Sequence, residues 1–380
     1  MPKPQPFLSK TKYLDGLKCP KLLWYKFNKR SLVPKPDVSL QAIFDQGHRV
    51  GEIARKLYPD GIKIERDWMP EKTHAKSLEA IKQRKPLFES GLIYGRAYAL
   101  PDILIPVGKD EWDLIEVKSG TTVEDVHLLD AAFQKYVYTG AGLKLRRCYL
   151  LHINTGYLRK GEIDPEKLLI KEEITEAIMP YLIGIEKTID GLLKIISGNE
   201  PKVKISPHCG QPYGCPLEEF CRGFLPEGDI FQLRGKKERL YELMDMGILK
   251  LTDIPIDDRL NEKQLIQINC QKTGEAHIDR DGIKNYLAEL KYPLYLLDFE
   301  TIAPAIPVYD LSHPYEKIPF QFSLHVIQKE GAKPEHYGYL APGDMDPRAE
   351  ILARLKKLLN DAGAIVSKSR RYKGYFNSAR

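Results

Sequence analysis

Residues 100–120 read LPDILIPVGKDEWDLIEVKSG and hold Asp102, Glu116 and Lys118 at spacings that a pair of short strands would gather into one constellation. Ile103 and Ile105 alternate with Asp102 and Leu104, and Ile115 and Val117 alternate with Glu116 and Lys118. Each strand is therefore expected to turn one apolar face into the core and leave the acids and the lysine on the other. With Gly108, Lys109 and Asp110 as a hairpin loop, Val107 pairs with Glu111, and continuing that register sets Asp102 across from Glu116. Lys118 follows about 7 Å along the same face. Two carboxylates so close repel one another unless a divalent cation lies between them, and Mg²⁺ or Mn²⁺ prefers a few carboxylates plus water. Held by Asp102 and Glu116, such an ion activates a water and stabilises charge on a phosphate. Lys118 then orients the nucleophile or neutralises the developing oxyanion. The chemistry is phosphodiester hydrolysis, although Glu-Val-Lys by itself is also how an ordinary exposed strand reads.

The next segment, EDVHLLDAAFQKYVYTG, has helical periodicity over about 124–139 and a stop at Gly140. Gln134 and Tyr138 lie four residues apart on one helical face, placed to hydrogen-bond a nucleic-acid phosphate or a metal-bound water, while His127 reads as a surface residue. A second set of chemically distinctive residues is PHCGQPYGCPLEEFC, with Cys209, Cys215 and Cys221 at intervals of six, and Cys19 far upstream in GLKCPKLLWY. In a chain of this length and composition, which needs no disulfides to build a core, clustered cysteines read as metal ligands. Four thiolates suit zinc, whose ribbons favour closer pairs, and equally an iron-sulfur cluster. A shared centre would close a loop of 189 intervening residues, worth roughly 4 to 5 kcal/mol on chain-entropy grounds. Cys148, in an apolar strand, and Cys270 read as ordinary thiols.

The elements that must position these residues follow from periodicity. Residues 7–30 and 40–58 read as helices and 91–118 as strands. An apolar strand, RCYLLHIN, and one long helix through 168–196 follow the helix at 124–139. Residues 226–290 alternate short helices and turns as a connector. LYLLDFE opens a third region, with IPFQFSLHVI as its next strand. The net charge of +6 is uneven. Residues 1–36 hold nine Lys or Arg against Asp15, and Tyr13, Trp24, Tyr25 and Phe27 are interleaved with them. That mixture suits phosphate contacts with base stacking, or a solvated basic face with its aromatics turned inward. There is no signal-peptide core, and YPLYLLDF is too short to span a bilayer, so the expected location is cytoplasmic with no membrane partner.

Pro101-Asp102, Glu116-Val117-Lys118 and a helix with Gln134 and Tyr138 in Q-x-x-x-Y spacing resemble the PD-(D/E)XK nucleases of RecB type. The cysteine plan is similar to that of their iron-sulfur subgroup, in which one N-terminal cysteine joins three beyond the nuclease core. The chain up to about residue 366 resembles an uncharacterised bacterial family that fuses such a nuclease to a DEDD-type, RNase H-like exonuclease domain. The resemblance implies an α/β architecture: a restriction-endonuclease-like mixed sheet flanked by helices, a helical connector, and a partial RNase H-like domain, over residues 1–225, 226–290 and 291–380. It implies Asp102, Glu116, Lys118, Gln134 and Tyr138 as catalytic residues. It implies a 4Fe-4S cluster on Cys19, Cys209, Cys215 and Cys221, zinc being the alternative, and DNA ends or single strands as substrate. One departure is visible. RecB-type enzymes often carry G-x-x-x-H with a metal-binding His, but four residues after Gly47 stands Gly51. His48 is therefore not expected to bind metal, and Glu52 is an alternative contact; the metal shell that the resemblance implies then rests on Asp102, Glu116, the Val117 carbonyl and water, with Glu89 as a further acid on the neighbouring strand.

In the third region Asp298 and Glu300 share a strand face behind a hydrophobic run, as the first acidic motif of a DEDD exonuclease would, and are expected metal ligands. From about 367 the chain reads SKSRRYKGYFNSAR, with five Lys or Arg and no acid, and the exonuclease-like domain is expected to be incomplete and inactive. Two rival readings remain open at this stage: a DNA-end-binding protein that does not cleave, and a nonfunctional fragment.

Overall fold

The computed structural model describes residues 6–343, 345–359 and 363–367; the tail expected to be aberrant from about 367 lies outside the described residues apart from Ser367 itself. The chain is mixed α/β and divides into two compact units, one of residues 1–154 and 165–277, the other of residues 155–164 and 278–380. The segment expected as a connector, 226–290, is therefore shared. Its residues up to His277 belong with the first unit and those from Ile278 with the second. No helix among the described residues is long and apolar enough to cross a membrane.

The first unit begins with strand β1 (Leu8–Ser9) and helices α1 (Lys10–Lys18), α2 (Pro20–Asn28) and α3 (Val38–Arg55). The single helix expected over 7–30 is thus two, broken at Cys19. Pro20 cannot donate to the preceding turn, and it disfavours helical backbone at Cys19, which is extended at φ −158°. Strand β2 (Ile62–Lys63), helix α4 (Pro70–Ile81) and strands β3 (Leu87–Phe88), β4 (Leu92–Tyr94), β5 (Ala97–Ala99), β6 (Ile103–Val107) and β7 (Glu111–Val117) follow. Helix α5 (Asp125–Gly140) crosses over to strand β8 (Lys144–Ile153), which runs parallel to β7. The main sheet has order β2-β3-β6-β7-β8 and ends on strand β9 (Leu169–Glu173), while β1, β5 and β4 form a small second sheet.

The long helix expected through 168–196 is not present. A single turn, α6 (Pro165–Leu168), leads into β9, which pairs with β8, and only α7 (Met179–Leu182) and α8 (Ile185–Ser197) are helical. Residues 169–173 gain ladder hydrogen bonds from the open edge of β8, and Gly184 at φ +74° restarts the helix. A core of Leu8, Tyr13, Leu23, Leu104, Trp112, Leu114, Phe133, Val137, Leu150 and Ile189 joins the sheet to α1, α2, α5 and α8. Gly16 lets α1 come close to α8, since a Cβ there would stand 2.7 Å from Leu192. Beyond α8 come α9 (Glu218–Arg222), α10 (Glu238–Asp245) and α11 (Glu262–Thr273). They surround a separate small core built from Ile205, Cys209, Ile230, Phe231, Leu240 and Ile268.

The second unit holds α12 (Arg280–Glu289), strands β10 (Leu294–Ile302), β11 (Ile318–Ile327) and β12 (Glu335–Leu340), helix α13 (Pro347–Leu358) and β13 (Ala364–Ser367). Its sheet has order β12-β11-β10-β13, antiparallel except for β10 with β13. Tyr295, Leu297, Phe322, Leu324 and Val326 pack with Ile351 and Leu355 of α13 on one face. Residues 155–164 join this unit through backbone bonds between Arg159 and residues 311 and 312, and through the Arg159 guanidinium on the Pro307 carbonyl.

Candidate active site

Strands β6 and β7 form the expected hairpin. Val107 pairs with Glu111 and Ile103 with Ile115, and Gly108 takes φ +53° in the loop, a conformation without steric cost for glycine. Asp102, one residue before β6, is on the register that faces Glu116, and its Oδ2 accepts the Val117 N–H at 2.7 Å. The expectation that only the face without the acids packs into the core is corrected. Leu104, Trp112 and Leu114, on the same face as Glu116, are core residues, and β7 is buried from Trp112 to Glu116. A central strand covered by α5 has no wet face, so its charged groups must satisfy one another.

They do so in a compact network. The Lys118 ammonium donates to Glu116 Oε1 and to Asp130 Oδ2, each at 2.7 Å. Gln134 donates through Nε2 to Glu116 Oε2 at 2.7 Å and to Asp130 Oδ1 at 2.8 Å. Lys10, at the start of α1, donates to Glu116 Oε1 at 2.7 Å and lies 3.4 Å from Asp130 Oδ2. Glu116 is 1% exposed and Gln134 fully buried. Burial alone would raise the Glu116 carboxyl, but Lys10 and Lys118 outweigh it and hold the group well below the carboxylate range. Both lysines are pushed up: burial opposes their charge, and Asp130 and Glu116 more than compensate. Three acids face two lysines, and the imbalance falls on Asp102. Burial first and the Glu116 charge second push its carboxyl up to about 7.

Sequence reasoning placed Asp102, Glu116, Lys118 and Gln134 together, and the structure brings them together. Lys10 and Asp130 were missed. Asp130 had a signal, since it stands one helical turn before Gln134 on the same face of α5. Lys10 had none, because its position depends on α1 docking through the stacked Tyr13 and Phe133 rings, 4.6 Å apart. Tyr138 goes elsewhere: its buried hydroxyl donates to the Ser90 carbonyl and lies 3.0 Å from Ser90 Oγ, so it fixes a turn rather than contacting a phosphate. His127 accepts the Glu124 N–H at 3.2 Å and so closes the start of α5. Glu89 is tied to the Asp102 carbonyl through its backbone N–H at 3.3 Å, while its carboxylate pairs with Arg55 at 3.2 Å. His48 and Glu52 are exposed on α3. Tyr13, Trp24 and Tyr25 are buried and so are not open to stack on bases, while Phe27 is half-buried with the Lys12 ammonium 4.0 Å over its ring.

No three His, Cys, Asp or Glu side chains among the described residues are spaced to hold a single metal ion as they stand. The donor chemistry at the carboxylates nonetheless fits a hard divalent cation. Asp102 carries unbalanced charge, and the buried Gln134 Oε1 has no hydrogen-bond partner. At the other end of α1, about 14 Å away along the helix axis, Cys19, Cys209, Cys215 and Cys221 line one cavity whose wall mixes aliphatic side chains such as Leu22 and Leu217 with Lys21, Lys204, His208 and Glu218. All four are free thiols. Burial pushes Cys209, Cys215 and Cys221 upward, and the neighbouring cysteines add to it. Four thiols on one cavity wall, with the positive charge of Lys21 and Lys204 beside them, suit a thiolate-bound centre. Cys148 is apart from them, its thiol pushed up to about 11 by burial, and Cys270 is half-buried on α11.

In the second unit Asp298 and Glu300 lie on the face of β10 turned away from α13, since the intervening Leu297 and Phe299 pack against that helix's core. Asp298 pairs across with Ser323 and Glu300 with Gln321; Glu300 is exposed.

A family model described as "Domain of unknown function (DUF2779)" matches residues 295–372. No curated protein matches. A solved structure described as "Crystal structure of SSO0001" is 13% identical, with a TM-score of 0.30 over 60% of this chain and 90% of that one, and at that distance it carries no argument about this chain.

Proposed function

We propose that the first unit is a divalent-metal-dependent deoxyribonuclease of the RecB-type PD-(D/E)XK kind, acting on DNA ends or single strands, with a 4Fe-4S cluster on Cys19, Cys209, Cys215 and Cys221. One observation carries the reading. An antiparallel hairpin sets Asp102 on the register facing Glu116, and the helix between parallel β7 and β8 delivers Gln134 to the same carboxylates. Asp102, Glu116 and the Val117 carbonyl would hold Mg²⁺ or Mn²⁺, which supplies Lewis-acid activation of a water at the scissile phosphate. Gln134 fixes the orientation of Glu116, and Lys118 brings a positive charge to where the phosphate charge develops. The thiolate centre would tie the α1–α2 junction to the 209–221 segment, and with it the N-terminal end of the site. The second unit's mixed sheet, with α13 leading into a strand parallel to β10, is an α/β arrangement, and that supports reading it as the partial RNase H-like domain. We assign Asp298 and Glu300 there as the remnant of a second metal site.

The test is Mg²⁺- or Mn²⁺-dependent cleavage of end-labelled single- and double-stranded DNA by anaerobically purified protein, with iron content measured on the same sample. Cleavage that Asp102→Ala abolishes without loss of DNA affinity is the expected result. An iron-loaded, folded protein that binds DNA ends and cuts nothing would replace this reading with that of an end-binding protein. Zinc in place of iron would overturn the cluster assignment alone.

A further inference from the structure

Lys10 and Lys118 do the same thing twice. Both ammonium groups sit 2.7 Å from a single oxygen, Glu116 Oε1, and both reach Asp130 Oδ2, at 3.4 Å and 2.7 Å. Glu116 Oε2 is already taken by Gln134. A cation approaching Glu116 through Oε1 must therefore displace one of the two lysines. Lys118 is the last residue to leave: it follows β7 directly, its N–H is bonded to the Leu151 carbonyl, and it has the shorter contact with Asp130. The two side chains are about equally exposed, 22% and 25%, so what separates them is attachment: Lys10 has the longer contact with Asp130 and comes from the start of a helix rather than from the sheet.

We propose that Lys10 is a resident cation that occupies the divalent ion's place at Glu116 and swings out when the ion binds, setting the metal concentration at which the site fills. The inference rests on Asp102 and Glu116 being metal ligands. Its consequence is arithmetic: the apparent metal affinity is the intrinsic one multiplied by the fraction of molecules in which Lys10 has left. Lys10 is a positioning residue in this scheme, exchanging one charge at Glu116 for another.

Two measurements on the full chain test it, neither needing nucleic acid. Calorimetric titration with Mn²⁺ should show Lys10→Gln binding about tenfold tighter than the parent, and Glu116→Gln not binding. Reductive methylation read by mass spectrometry should find Lys10 protected without metal and modified in saturating Mg²⁺, with Lys118 protected in both. A merely structural Lys10 would stay protected in Mg²⁺, and that result overturns the inference whatever the affinities, as does unchanged or weaker binding by Lys10→Gln. If neither the parent nor Lys10→Gln binds Mn²⁺, the metal-site reading itself falls, and the inference with it.

Discussion

Two acidic pairs in this chain read alike in sequence and sit in opposite surroundings. Asp102 and Glu116 are packed under α5, where two lysines and an amide saturate Glu116 and leave Asp102 with surplus charge. Asp298 and Glu300 lie on the face of β10 that no described core covers, with Glu300 exposed. A carboxylate pair under a helix pays for burial with a built electrostatic shell, and that shell gives it a defined geometry and a defined need for cation. Glu300, exposed to solvent, has no comparable burial cost to offset.

The comparison breaks first on activity. On the proposed function, Glu116→Gln should lower DNA cleavage by about 10³-fold, since it removes both a proposed metal ligand and the anchor of the network, whereas Asp298→Ala should leave initial rates within about twofold. Equal losses from both would move the reaction to the second unit. Stability is the next contrast. Glu116→Ala leaves Lys10 and Lys118 facing an incomplete set of acids and should cost about 3 kcal/mol in urea unfolding, while Glu300→Ala should fall within about 0.5 kcal/mol.

The pH dependence sharpens the contrast further. Because the folded Asp102 carboxyl is raised to about 7, the folded protein holds a proton there that the unfolded chain releases near pH 4. Metal-free stability should therefore fall as pH rises from about 4 to 7 on account of this group, and Asp102→Asn should abolish that fall. The variant should match the parent near pH 4 and exceed it by about 4 kcal/mol at pH 8, a gap that saturating Mg²⁺ narrows. Smallest of the expected losses in the first unit is that of Tyr138→Phe, about 1 kcal/mol through the lost Ser90 bonds, with no change in cleavage. A large loss of activity would return Tyr138 to the site.

Much of this was legible where the determining contacts are local. The β6–β7 register follows from alternation and a three-residue loop with glycine at its first position. Gln134 follows from helical spacing, and the strands at 294–302 and 318–327 from their apolar runs. The failures share a cause. Residues 169–173 are polar enough to read as a helix and became a strand because β8 had an edge to offer. Residues 155–164, placed by sequence order with the nuclease-like region, belong to the second unit through Arg159.

The sequence by itself determined the α/β character, the hairpin that sets Asp102 toward Glu116, and the helical face carrying Gln134, because each depends on spacings within a few residues or on pairing across a short loop. Tertiary structure alone decided that Lys10 would share Glu116 with Lys118, that Tyr138 would turn away, that Tyr13, Trp24 and Tyr25 would face inward, and that Cys19 would meet three cysteines some 190 residues further along. Those outcomes depend on where α1 docks, which follows from the fit of Tyr13 against Phe133 and of Gly16 against Leu192, a matter of packing that no local spacing encodes.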